Sequence, residues 1–203
     1  MPDNVGVSFS IVFLDKNYPV DPRVDEMIRW GNRFREMGIV HGEEGNLSVR
    51  TKLGFIISGD GVMLESMTKD SVVEIRGVVF GLNRPSVYTK GLLNPSMLTL
   101  LHSAIYENFP EVNAILHTHD NDVLKAAEKL GVPSTDIEQP ADSRELAQEA
   151  VNVLQLNKGV RYFVLKNHGI IALGTTMSEA GALMEEMHTK ATGGAKAKTA
   201  KKK

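Results

Sequence analysis

Residues 94–120, NPSMLTLLHSAIYENFPEVNAILHTHD, constrain this chain more than any other stretch. Asn94 is a favoured N-cap, and Pro95 suits the first helical position, where its missing N–H is no loss. Met97, Leu98, Leu101, Ile105 and Phe109 recur at steps of three and four, which predicts a helix with one apolar face. Asn108, Phe109 and Pro110 end it. The run 112–116 is short, β-branched and apolar, as a buried strand should be.

At the end of that strand His117 and His119 flank Thr118. Residues i and i+2 of a strand point to the same side, so both imidazoles can converge on one point. Two neutral imidazoles form half of a divalent-metal site. The same pair is equally at home in a core or on a surface, so the metal reading needs a third ligand. The apolar strand 161–165 supplies it, because it is followed by Lys166–Asn167–His168–Gly169 and then by a second apolar run, 170–173. His168 is thus expected in a tight connection between two buried strands, with Gly169 giving backbone freedom. Three histidines and an open fourth position make the ligand count of a catalytic zinc site.

With these pieces in place the sequence resembles the class II aldolase/adducin family, which includes fuculose-phosphate aldolase, ribulose-phosphate 4-epimerase and methylthioribulose-phosphate dehydratase. The matching motifs are GNLSVR at 45–50, IISGDGV at 56–62, HSAIYENFPEVNAILHTHD at 102–120 and LKNHGIIALG at 165–174. Together they span about residues 23–190 in the family's order. The resemblance implies an α/β fold, a three-layer α/β/α domain with a mixed, largely antiparallel central sheet. It also implies that His117, His119 and His168 bind Zn²⁺ or another divalent transition metal, and that the chain assembles as a homotetramer.

Composition fits a compact enzyme. The 203 residues suit one domain, expected over 1–193, with an added N-terminal strand segment in residues 1–20. That segment shows alternation at Val5, Val7, Phe9, Ile11 and Phe13. Cysteine is absent, which removes disulfides and thiolate ligands. With no basic, apolar leader and no long apolar run, the expectation is a cytoplasmic protein with no membrane partner. The net charge of −2 conceals the lysine-rich end GAKAKTAKKK at 194–203; without its five lysines, residues 1–193 carry −7. This tail has little to bury and is expected to be disordered. Without aromatic interleaving or a groove-reading element it gives no basis for a nucleic-acid partner.

Elsewhere the pattern predicts helices from about Pro22 to Met37 with Gly38 at C′, from 123 to 130 capped by Asp120 or Asp122, from Asp142 or Ser143 to about Leu156, and from 179 to about 191 capped by Ser178. Trp30 reads as core. His102 and His188 read as packing or surface residues within helices.

In the family, the loop that opens the GNLS strand and the loop after the next strand hold a substrate phosphate. The resemblance carries this role onto Asn46, Ser58 and Gly59, joined by Ser96 at the predicted helix start, where free N–H groups and the dipole favour an anion. Several positions depart from the family. Glu43 stands where threonine is common, and a carboxylate there repels a phosphate, so either Glu43 points away or the far end of the substrate is not a phosphate. Met97 replaces a common serine, and Ile56 stands where some relatives place lysine. Leu98 occupies the position of the aldolases' glutamate and the epimerases' aspartate, and no acid lies between Lys90 and Glu107. The aldolases' tyrosine has Ile137 as its nearest match, and no tyrosine follows Tyr162. Some dehydratases use instead a glutamate about twenty residues after HTH, which falls on Glu138.

The expected function is therefore a metal-dependent lyase of aldolase or dehydratase type. Its substrate would be a small sugar phosphate or related hydroxy-carbonyl compound, converted through an enediolate with Glu138 as the base. The alternatives are a sugar-phosphate 4-epimerase or an inactive, adducin-like binding protein.

Overall fold

The computed structural model describes residues 8–81 and 84–193. Strand β6 (Ala114–Thr118) shows how the layers arise. Ala114 and Leu116 pack into one apolar cluster and Ile115 into a second, as the period of two requires. The first cluster takes Val24, Met27 and Phe34 from α1 (Arg23–Met37), Val123 from α3 (Asn121–Ala126) and Met177, Ala180 and Met184 from α5 (Met177–Thr192). The second takes Leu100, Leu101 and Ile105 from α2 (Thr99–Asn108) and Leu146, Ala150 and Leu154 from α4 (Arg144–Leu156). Helices therefore cover both faces of the sheet, giving three layers.

Among the described residues the sheet has eight strands in the order β1-β5-β4-β3-β2-β6-β8-β7. The remaining strands are β1 (Ser10–Asp15), β2 (Asn46–Thr51), β3 (Gly54–Ser58), β4 (Val72–Val79), β5 (Ser86–Lys90), β7 (Tyr162–Leu165) and β8 (Gly169–Gly174). Every neighbouring pair is antiparallel except β1 with β5. The sheet is mixed and largely antiparallel, as the resemblance implies. All six residues of β8 are buried, because helices cover both faces of that strand.

The N-terminal strand finds its place at the sheet edge, parallel to β5, with Ile11 opposite Val87. Val5 and Val7 lie outside the described residues, as does the lysine-rich segment 194–203. Helix α1 ends on Gly38 in the left-handed region, as its sequence predicts, and the Asp21 carboxylate accepts the N–H of Arg23. Trp30 is half-buried and its ring lies directly over Gly181 of α5.

Two helices open on a cap other than the one the sequence suggests. Helix α2 begins at Thr99, not at Pro95. Residues 94 and 95 are tied to the turn after β3: Pro95 bridges Gly59, and the Asn94 carbonyl accepts the N–H of Asp60. Ser96 then opens the helix, its carbonyl accepting from Thr99 and its hydroxyl from Leu98. Met97 is left 42% exposed instead of joining the apolar face. Helix α5 begins at Met177, capped by the Thr176 hydroxyl, which accepts the N–H of Glu179. Ser178, the expected cap, donates to Glu26 instead.

Candidate metal centre

His117 is the fourth residue of β6, paired in register with Asn46 of β2 on one side and Ile171 of β8 on the other. It is held by sheet hydrogen bonding on both flanks and is 1% exposed. His119 follows one step beyond the strand. His168 closes the turn between β7 and β8, where its N–H donates to the Leu165 carbonyl at 3.0 Å. The preceding residue, Asn167, adopts φ 54°, a conformation asparagine tolerates better than most residues. Gly169 completes the arrangement. A Cβ there would lie 2.5 Å from His117 Cε1, 2.7 Å from His119 Cδ2 and 2.7 Å from the Thr118 carbonyl oxygen.

The three rings meet around one point. Their centroids are 4.8, 4.9 and 5.0 Å apart, with interplanar angles of 71–73°. One ring nitrogen from each lies within 4.8 Å of the others. The Nε2 atoms of His117 and His119 stand 2.9 Å apart. His117 donates through Nδ1 to the Ile170 carbonyl at 3.0 Å, which fixes its tautomer and leaves the Nε2 lone pair directed at the cluster. Lone pairs this close need a shared proton or a shared cation, so the set fits a divalent ion.

Electrostatics keep these rings neutral. Burial drives His117 well below the ordinary imidazole range, with further lowering from His168 and His119. Burial also lowers His119, opposed by the Glu44 charge. His168 falls to about 4 through burial and His119, against the pull of Glu138. Neutral imidazoles at physiological pH are the protonation state a metal requires.

The histidines open onto a cavity of about 90 Å³, also lined by Glu43, Asn46, Gly59, Asp60, Ser96 and Leu98. A larger cleft, about 720 Å³, lies at the far end of β8 between Phe109, Leu154 and Leu173 and holds no histidine. Of the residues expected at a substrate phosphate, Asn46, Gly59 and Ser96 line the histidine cavity. Ser58 is fully buried beneath it, its hydroxyl accepting the N–H of Leu47. Leu98 is 2% exposed and presents an apolar wall to the cavity.

Glu138 is exposed and accepts a hydrogen bond from Asn167 Nδ2 at 2.9 Å. The segment before it runs along β7, with Ser134 bridging Val164 and the Thr135 hydroxyl accepting the Lys166 N–H. Glu138 is thereby tied to the residue that precedes His168, but it is not among the residues that line the histidine cavity. His102 is buried against the Ser48 hydroxyl at 2.7 Å, and Ser48 in turn meets the Tyr106 hydroxyl at 2.7 Å. His188 is buried as well, its Nδ1 2.5 Å from Asp120, whose other oxygen caps α3. Both match the packing role the sequence suggests. Sequence reasoning missed Asp60 as a lining residue, although it sits inside the quoted IISGDGV motif. It also missed the Asn167–Glu138 bond, which carries no local sequence signal.

Known proteins are similar to this chain over most of its length. L-fuculose phosphate aldolase of Methanococcus vannielii is 31% identical over 76% of this chain and 86% of its own length. Methylthioribulose-1-phosphate dehydratase of Gluconacetobacter diazotrophicus is 29% identical over 80% and 87%. 3-oxo-tetronate 4-phosphate decarboxylase of Haemophilus influenzae is 26% identical over 79% and 81%. The fold is similar to that of L-fuculose-1-phosphate aldolase from Thermus thermophilus, with a TM-score of 0.68 and 20% identity over 85% of this chain and 92% of that one. The model of the class II aldolase and adducin N-terminal domain matches residues 25–192. That match spans most of the sequence, so this chain belongs to the class II aldolase/adducin family.

Proposed function

We propose that this protein is a metal-dependent lyase that cleaves or dehydrates a small hydroxy-carbonyl compound of the sugar or sugar-phosphate type. The observation that carries this reading is the convergence of His117, His119 and His168, with ring centroids about 5 Å apart, at the floor of an open cavity. These three would hold Zn²⁺ or a similar divalent ion, which three imidazoles accept without strong discrimination. Such an ion supplies Lewis acidity toward a substrate oxygen.

The protein's own residues do the rest. Ile170 fixes the His117 tautomer through its carbonyl. Asn46, Gly59 and Ser96 contact the substrate from the opposite wall, and Ser58 shapes that wall from below. Leu98 cannot carry a proton, so the acid/base role passes to Glu138. Asn167 orients its carboxylate beside His168, from where it takes a proton next to the substrate carbonyl. A homotetramer in the cytoplasm is the assembly and location this reading expects; among the described residues no helix is long and apolar enough to cross a membrane.

The Leu98 side chain also supports a second reading, an adducin-like binding protein without turnover. Metal analysis followed by a screen of ketose and aldose phosphates and their unphosphorylated counterparts separates the two. Stoichiometric metal with turnover that vanishes on alanine substitution of the histidines supports the lyase. Absence of bound metal would defeat it.

A further inference from the structure

The cavity rim is built from two turns. One carries Glu43 and leads into β2 through Asn46, and the other is the Gly59–Asp60–Gly61 turn after β3. A Cβ on Gly61 would stand 3.9 Å from Glu43 Oε2, so the Glu43 carboxylate reaches across to the second turn and shares the rim with Asp60. Among the described residues no lysine or arginine lines this cavity, and no cation pairs with either acid.

Several backbone donors along the rim are already engaged. The Gly59 N–H goes to the Ser71 carbonyl at 2.8 Å and the Asp60 N–H to the Asn94 carbonyl at 2.9 Å. The Leu98 N–H is held by the Ser96 hydroxyl at 3.3 Å, and the Thr99 N–H by the Ser96 carbonyl at 3.0 Å. A helix start that spends two of its N–H groups internally has fewer left for an anion. The rim also offers acceptors. Asn46 is 5% exposed, lines the cavity, and keeps Oδ1 without a hydrogen-bond partner. A buried acceptor left unpaired is costly unless a ligand donor meets it. The mutual repulsion of the two acids is visible on Asp60, which is raised by burial and then by the Glu43 charge.

We propose that the rim carrying Glu43, Asp60 and Asn46 receives an unphosphorylated, hydroxyl-bearing end of the substrate. Hydroxyl groups donate to all three acceptors, whereas a phosphate dianion meets two carboxylates and no cation. This rests on the lyase reading above and narrows its substrate class to polyhydroxy carbonyl compounds with a free terminal hydroxyl.

Calorimetry on the zinc-loaded full chain, its metal content measured first, tests this with two probes. One is the hydroxamate of a four-carbon polyhydroxy acid, and the other is the same compound with its terminal hydroxyl phosphorylated. The free-hydroxyl probe is expected to bind at least tenfold more tightly. Replacing Glu43→Thr and Asp60→Asn together is expected to raise the affinity of the phosphorylated probe at least tenfold. Equal or tighter binding of the phosphorylated probe to the wild-type protein overturns the inference while leaving the lyase reading intact. That comparison needs no variant, so it stands even if the double substitution fails to fold. An unchanged preference in a folded double variant overturns the assignment to these two acids. If zinc-loaded protein binds neither probe, the lyase reading falls and the inference falls with it.

Discussion

Gly169 and the His117 ring are packed so closely that a Cβ on Gly169 would stand 2.5 Å from His117 Cε1. The same atom would meet His119 and the Thr118 carbonyl at 2.7 Å. The glycine that follows His168 is therefore a space requirement for all three rings, beyond any freedom it gives the turn.

Gly169→Ala should displace at least one imidazole. Overpacking of this kind costs about 1–3 kcal/mol, and the ring shift should weaken zinc binding at least tenfold. Chelator-competition titration and thermal melts read the two effects separately. Zinc affinity equal to wild type would show that the rings do not depend on this contact.

Metal removal should be visible in stability. A ligand that binds only the folded state at a hundred times its Kd adds about 2.7 kcal/mol. For a chain of this size that is about 5–10 °C in Tm. Saturating zinc should raise the Tm of chelator-treated protein by that amount, and His117→Ala should remove the shift. Unchanged melting with and without zinc in the wild type would count against a metal centre.

The parts of this site that were legible in the sequence are those fixed by short-range rules. The period of two places His117 and His119 on one side of β6, and a four-residue connection between two apolar runs leaves His168 nowhere else to go. The parts that were not legible depend on contacts distant in sequence. Pro95 looks like a helix start by local propensity, yet its bridge to Gly59 holds residues 94–95 in extended form and moves the start of α2 to Thr99. Asp60 lines the cavity from the turn that this bridge ties to residues 94 and 95. The parallel pairing of β1 with β5 joins strands more than seventy residues apart, and no local pattern encodes such a partner.

Glu138 should separate catalysis from metal binding. General-base groups contribute about 10²–10⁴-fold to rate, so Glu138→Gln should lower kcat at least a hundredfold with zinc content unchanged. Asn167→Gly keeps the left-handed backbone available and removes only the bond to Glu138. Its kcat should fall by a smaller factor, about tenfold, without loss of metal. Full activity in Glu138→Gln would move the proton-transfer role to another residue.

His102 should make the fold sensitive to acid. It is fully buried, and burial lowers it from 6.5 to about 3. Its Nδ1 meets the Ser48 hydroxyl, while Nε2 has no hydrogen-bond partner, so a proton added there would find no compensation. The unfolded chain takes up that proton near pH 6.5 and the folded chain only near 3. The contribution of neutral His102 to stability is therefore complete above about pH 6.5, declines as pH falls through the interval, and levels off below about 3. The slope is about 1.4 kcal/mol per pH unit for one proton, with a ceiling on the order of 5 kcal/mol over the whole interval. The three cluster histidines are also lowered by burial and contribute slopes of their own. His102→Gln, which retains a polar partner for Ser48, isolates the His102 share. Denaturant titrations between pH 7 and pH 4 should show wild type losing about one proton's worth of slope more than the variant, and parallel curves would place the acid sensitivity elsewhere.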